Sequence, residues 1–171
     1  MSIGRPASEE AESYYWRYID RVPGDDIVGT LATQLEEAPR LLSRISEQMS
    51  LRRYAPGKWS IRQVLSHVSD AERVFLFRAF WFARGFVSPL PSFDEATGTA
   101  GAQADASPWA GHIEEFRSVR AATLTFLRRL PEDAWARRGV ASDCTFSVRA
   151  LAYIMAGHLA HHRAILEERY L

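Results

Sequence analysis

The 171-residue chain has one cysteine, Cys144, which excludes an internal disulfide and suits a reducing compartment. Nothing near Cys144 in sequence would lower its pKa, so it is also a poor nucleophile. Net charge is missing as well: 21 Lys and Arg balance 21 Asp and Glu, so no global field draws the chain to nucleic acid or to an anionic membrane. The pairs Arg128–Arg129 and Arg137–Arg138 read as solvated surface beside a helix end. No run approaches the roughly 18 uncharged apolar residues of a membrane span, and "MSIGRPASEEAESYYW" has no apolar signal segment. A soluble, cytoplasmic protein with neither nucleic-acid nor membrane partners is therefore expected. Internal repeats, low-complexity tracts and linkers are absent too. The expectation is one domain over residues 1–171, with residues 1–24 forming an N-terminal extension that carries a short helix around "SEEAESYYWRYI".

What the chain does have is helical periodicity, with 47% hydrophobic residues, enough for a core. A helix opening at Asp25–Asp26 repeats apolar residues at Ile27, Leu31, Leu35, Ala38, Leu42 and Ile45. Pro39 inside it predicts a kink or a division. "SIRQ" from Ser60 is a capping box, and its helix runs to about Gly85. Ser107 and Pro108 start a third helix toward Leu130, and Ser147 caps a fourth that runs to the end, after a short hairpin around "GVASDCTFS". No convincing set of alternating strands competes. The fold class is all-α, a four-helix bundle. Residues 86–106, "FVSPLPSFDEATGTAGAQADA", have no helical period and form a long loop between the second and third bundle helices. Its first half, with Phe93, Asp94 and Glu95, is placed to pack over a site; its Gly/Ala-rich second half reads as mobile.

Three of the five histidines fall in "GHLAHHRAILEERY". Phased at 100° per residue from Leu151, Ile154, Met155, Leu159, Ile165 and Leu166, His158 and His162 lie about 20° either side of the buried stripe's centre, and His161 about 80° away. Two imidazoles in a core are costly unless partnered, and i, i+4 spacing lets one ion take nitrogen from both. The bland alternative is a pair of hydrogen-bonded core histidines. His161 reads as lying behind the ligands or on the surface. A third ligand has two candidates. His67 sits at the edge of its helix's apolar stripe; His112 lies beside Glu114 and Glu115 and reads as exposed.

"KWSIRQVLSHVSDAERVFLFRAFWFARG", "PLPSFDE" and "AGHLAHHRAILEERYL" together resemble the DinB/YfiT-like superfamily, over most of the chain from about residue 25 onward. The resemblance is carried by the tryptophan–serine helix start, H-x-x-D-x-E, and H-x-x-x-H followed by arginine. It implies a four-helix bundle in which His67, His158 and His162 hold a divalent zinc or nickel ion. It also implies a small-molecule substrate, frequent homodimers, and chemistry similar to metal-dependent hydrolases or to S-transferases and isomerases that use a low-molecular-weight thiol such as bacillithiol or mycothiol.

Three histidine ligands leave positions open for water or substrate, the arrangement of a catalytic ion. No Ser–His or Cys–His arrangement competes with it. Asp70 either reaches back to orient His67 or pairs with Arg73. Glu72 phases onto the buried side, where it pairs with an arginine such as Arg163 or Arg169, or serves as a general base. Phe75, Phe80, Trp81 and Phe82 read mostly as core, some as pocket wall. Phe93 and Asp94 are the loop candidates for substrate contact. The rival reading is non-catalytic: a metal-stabilised or metal-free helical module for binding or stress response.

Overall fold

In the computed structural model, which describes residues 3–171, the chain forms α1 (Trp16–Ile19), α2 (Ile27–Leu42), α3 (Ile61–Ala83), α4 (Glu95–Ala102), α5 (Trp109–Leu127) and α6 (Val148–Arg169). An antiparallel hairpin, β1 (Arg138–Ala141) and β2 (Cys144–Ser147), precedes α6. The four long helices are α2, α3, α5 and α6, as expected.

Local chemistry sets where three of them begin. Asp26 accepts the Gly29 N–H at 2.9 Å, and Ser147 accepts the Ala150 N–H at 3.0 Å. Ser60 and Gln63 cap one another's backbone at 3.1 and 3.0 Å. The start of α5 is different. Pro108 stands in the cap position and Ser107 makes no cap. The Trp109 N–H instead donates to Glu47 Oε2 at 2.9 Å, an acceptor brought in from far away in sequence.

Two further expectations are corrected. Pro39 does not divide α2; it stands in the last turn, where it removes one of the final ladder bonds, and the helix stops at Leu42. The segment 86–106 is not all loop. Asp94 accepts the Thr97 N–H at 2.7 Å to start α4, and Gln103 ends it in the left-handed region at φ 47°. Its "EATGTAGA" sequence has no amphipathic period to betray a helix. The N-terminal segment holds two 3-10 turns before α1, and buried Glu10 clasps it to α6 through Arg149 Nε at 2.7 Å and Ser147 Oγ at 2.6 Å.

Two apolar clusters fill the bundle. On α3, Ile61, Val64, Leu65 and Val68 belong to one cluster, and Ala71, Phe75, Ala79 and Phe82 to the other. On α6 the order is reversed, with Leu151, Ile154 and Met155 in the second cluster and Leu159 and Leu166 in the first. The helices therefore run antiparallel, and the buried polar residues His67, Ser69, Glu72 and His158 fall at the boundary between clusters. Gly157 fixes how α1 meets this waist: a Cβ there would lie 1.9 Å from the Tyr18 carbonyl oxygen, so only glycine permits the approach.

Candidate metal centre

One helical turn separates His158 and His162 on α6, and α3 brings His67 against both. His67 Nε2 lies 3.2 Å from His158 Nε2, and His162 Nε2 lies 3.1 Å from the same atom. One nitrogen from each of the three sits within 4.8 Å of the other two. His67 is not at a stripe edge, as its sequence phase suggested, but 4% exposed under the Trp59 ring, whose centroid is 4.9 Å away.

Three Nε2 atoms turned toward one point cannot satisfy each other. A neutral imidazole nitrogen either carries one hydrogen or offers one lone pair, so one good hydrogen bond is the most the middle nitrogen can share. His67 Nδ1 is buried with no hydrogen-bond partner, so moving the proton to the other side of that ring does not help. A metal ion would resolve the conflict. Bonds of about 2.0 Å at tetrahedral angles put ligand nitrogens about 3.3 Å apart, close to the spacing seen. The residues present fit such an ion.

Electrostatics agree. Burial lowers the His67 pKa, although Glu95 and Asp70 pull the other way. His158 is lowered well below the ordinary value by burial and then by His162, His67 and His161. Burial, with His67 and His161, brings His162 down to about 3. All three rings are neutral at pH 7, the form that binds a metal.

A cavity of about 320 Å³ opens on His67 and His158. Tyr15, Tyr18, Phe75 and Phe93 wall it, and Arg78, Glu95 and Ser142 are among its polar groups. Tyr18 stands edge-on to His158 at 5.2 Å, held there by the Gly157 contact. Glu95 Oε2 is 4.0 Å from His67 Nε2 and is the acidic group nearest the cluster.

The other sequence candidates separate. Asp70 accepts from Arg73 Nη1 at 2.9 Å and makes no hydrogen bond to His67. Glu72 pairs with neither Arg163 nor Arg169: Arg120 of α5 grips both its oxygens at 2.7 and 2.8 Å, and Thr123 Oγ1 donates to it at 2.8 Å. With both oxygens bonded, it is not placed as a base. Arg163 is on the surface with Glu167 and Glu37. His161 lies outside the triangle, edge-on to Tyr18 at 5.5 Å. His112 is corrected from exposed to buried, its Nε2 2.9 Å from the Ala104 carbonyl oxygen. Phe93 lines the cavity, whereas the Asp94 carboxylate is taken up by its capping bond. Of the aromatic run, Phe75 is wall and Phe82 core, but Phe80 and half-buried Trp81 meet Phe86 on the surface. Burial, Glu12 and Asp143 push the Cys144 thiol up, in keeping with its poor prospects as a nucleophile. Sequence reasoning missed Tyr15, Tyr18, Arg78 and Ser142, none of which carries a local signal, and used Trp59 only as part of a helix-start motif.

The family model of the DinB superfamily matches residues 30–166. No curated protein matches the sequence. Among solved structures, the chain is similar to YfiT from Bacillus subtilis, a probable metal-dependent hydrolase with an unusual four-helix bundle topology. The identity is 16% and the TM-score 0.70, over 95% of this chain and 89% of that one. It is also similar to a mycothiol-dependent maleylpyruvate isomerase at 13% identity and a TM-score of 0.68, over 85% of this chain but 61% of the isomerase. At these identities the likeness is one of fold.

Proposed function

This chain belongs to the DinB superfamily, and from that premise we propose that His67, His158 and His162 hold a divalent zinc or nickel ion and that the protein is a metal-dependent hydrolase of a small molecule. The observation that carries this reading is the triangle of neutral Nε2 atoms at 3.1 and 3.2 Å, unsatisfied among themselves and opening on an aromatic cavity. An ion bound there supplies a Lewis acid with positions left for water and substrate.

The chain's own groups do the rest. Glu95, 4.0 Å from His67, is placed to take the proton that a nucleophilic water gives up and to return it to the leaving group. Trp59, Tyr18 and Phe75 pack edge-on or tilted against the imidazoles, fixing their rings and excluding bulk water from that side. The Cys144 thiol has no part, since its pKa is raised.

A thiol in place of water would give S-transfer or isomerisation, the chemistry named for the isomerase neighbour. The cavity of about 320 Å³ lies at the small end of the ~300–1,000 Å³ ligand range, which favours water as the second reactant over a bulky thiol. The test has two stages. Metal analysis of protein purified without added ions should find about one zinc or nickel per chain, the stoichiometry of a single three-histidine site. Ester and amide panels should then turn over with metal alone. A strict requirement for bacillithiol or mycothiol would instead establish transfer. Failure to take up metal on reconstitution would remove the proposal.

A further inference from the structure

Three arginines are buried in this fold, and two of them have a carboxylate. Arg62 pairs with Glu47 and Arg120 with Glu72. Arg78, on the same helix as Arg62 and 3% exposed, pairs with no carboxylate among the described residues. Its Nη2 donates to the Pro91 carbonyl at 3.2 Å and to Ser142 Oγ at 2.8 Å, and the Tyr15 hydroxyl and the Cys144 thiol are its other polar neighbours. Five N–H donors and a full charge thus meet only neutral acceptors. Burying a cation this way is costly, and tying Pro91 to Ser142 does not require one.

The place of Arg78 explains the charge. It lines the cavity that opens on His67 and His158. Phe75 stands between, its ring 6.2 Å from the His158 ring and 5.9 Å from the guanidinium carbon. Glu95 is the one acid among the lining residues and lies at the imidazole end; Arg78 is the one guanidinium and lies beyond Phe75. The cavity is therefore polarised along its length.

We propose that Arg78 is an anion anchor: a carboxylate on the small-molecule substrate pairs with its guanidinium, the substrate's body lies along Phe75, and the reacting bond points toward His67 and His158. The planar fork of N–H donors matches a carboxylate as it matches Glu72 in the Arg120 pair. The Ser92 and Ser142 hydroxyls line the same cavity. This inference rests on the cavity being the substrate site proposed above, but not on the identity of the ion.

Phenylacetate and its neutral amide, phenylacetamide, are the probes, titrated calorimetrically into the full chain with zinc and after EDTA treatment. The stripped protein is decisive, because a carboxylate also binds a metal. There the acid should bind about ten- to a hundredfold more tightly than the amide. Arg78→Gln should erase that difference, and Arg78→Lys should restore part of it. Equal binding of acid and amide by the wild type, no acid binding at millimolar concentration, or a preference that survives in R78Q would each overturn the anchor. If R78Q does not fold, the wild-type ratio and R78K decide. Zinc uptake is read in the same samples. Discrimination without zinc uptake keeps the anchor and ends the metal reading; zinc uptake without discrimination does the reverse.

Discussion

Two polar clusters are buried little more than a turn apart on α3, and they are built on opposite principles. Around Glu72 every group has its complement: Arg120 grips both oxygens, Thr123 donates to one, Gln34 accepts from Arg120 at 2.7 Å and donates to the Ala156 carbonyl at 2.9 Å. Around His67, three imidazole nitrogens turn toward one another and cannot all be satisfied, and a buried Nδ1 is left over. The first cluster is closed and leaves nothing for a ligand; the second has ring nitrogens that an ion would complete. Burial alone does not separate a structural polar group from a functional one, whereas an account of donors and acceptors does.

The comparison breaks first at the closed cluster. Arg120→Met strands the Glu72 carboxylate and should cost about 3–5 kcal/mol in urea unfolding, while Glu72→Met with Arg120→Leu should recover most of it. A single variant as stable as the wild type would mean that the cluster does not act as a unit. At the open cluster the order is reversed. His158→Ala should leave the metal-free protein folded but remove the stabilisation by zinc, about 3–4 kcal/mol at a few hundred times the dissociation constant. Zinc raising the melting temperature of H158A as much as that of the wild type would end the ligand assignment.

Acid provides a third, smaller separation. In the unfolded chain histidines take up protons near pH 6.5, but His162 in the fold stays neutral down to about 3. Between those values the unfolded state binds more protons, so metal-free stability falls as pH drops through the window and is fully present above it. His162→Leu should flatten that slope by up to about 1.4 kcal/mol per pH unit. Parallel slopes for variant and wild type would show that His162 is not held neutral. The smallest effect belongs to Asp70→Asn. Paired with Arg73 at the surface, Asp70 should contribute less than about 0.5 kcal/mol, and zinc affinity should stay within about twofold. A tenfold loss of affinity would reinstate Asp70 as an orienting partner of His67.

The same contrast marks what was legible in the sequence. Caps at Asp26, Ser60 and Ser147 are local hydrogen bonds between residues three apart, so they can be read from composition. The pairing of His158 with His162 is likewise a matter of helical phase. Glu72 was read correctly as buried, but its partner lies 48 residues away on another helix, where phase carries no information. His67 and His112 looked peripheral on their own helices because Trp59 and the turn at Ala104–Ala106 cover them only in the folded chain. The α4 helix was hidden for a different reason: a Gly/Ala sequence has no polar face to contrast with an apolar one. The aromatic wall from α1 escaped notice because its contact partner is a glycine, which looks like an absence.

That contact at Gly157 also joins parts of the chain that are far apart in sequence. Tyr18 leaves the ribosome early, His67 midway, and His158 and His162 late, yet the cavity exists only where all of them meet. A chain that ends before α6 therefore has neither the triangle nor its wall. The ion proposed above would find its three ligands together only once α6 has packed against α3.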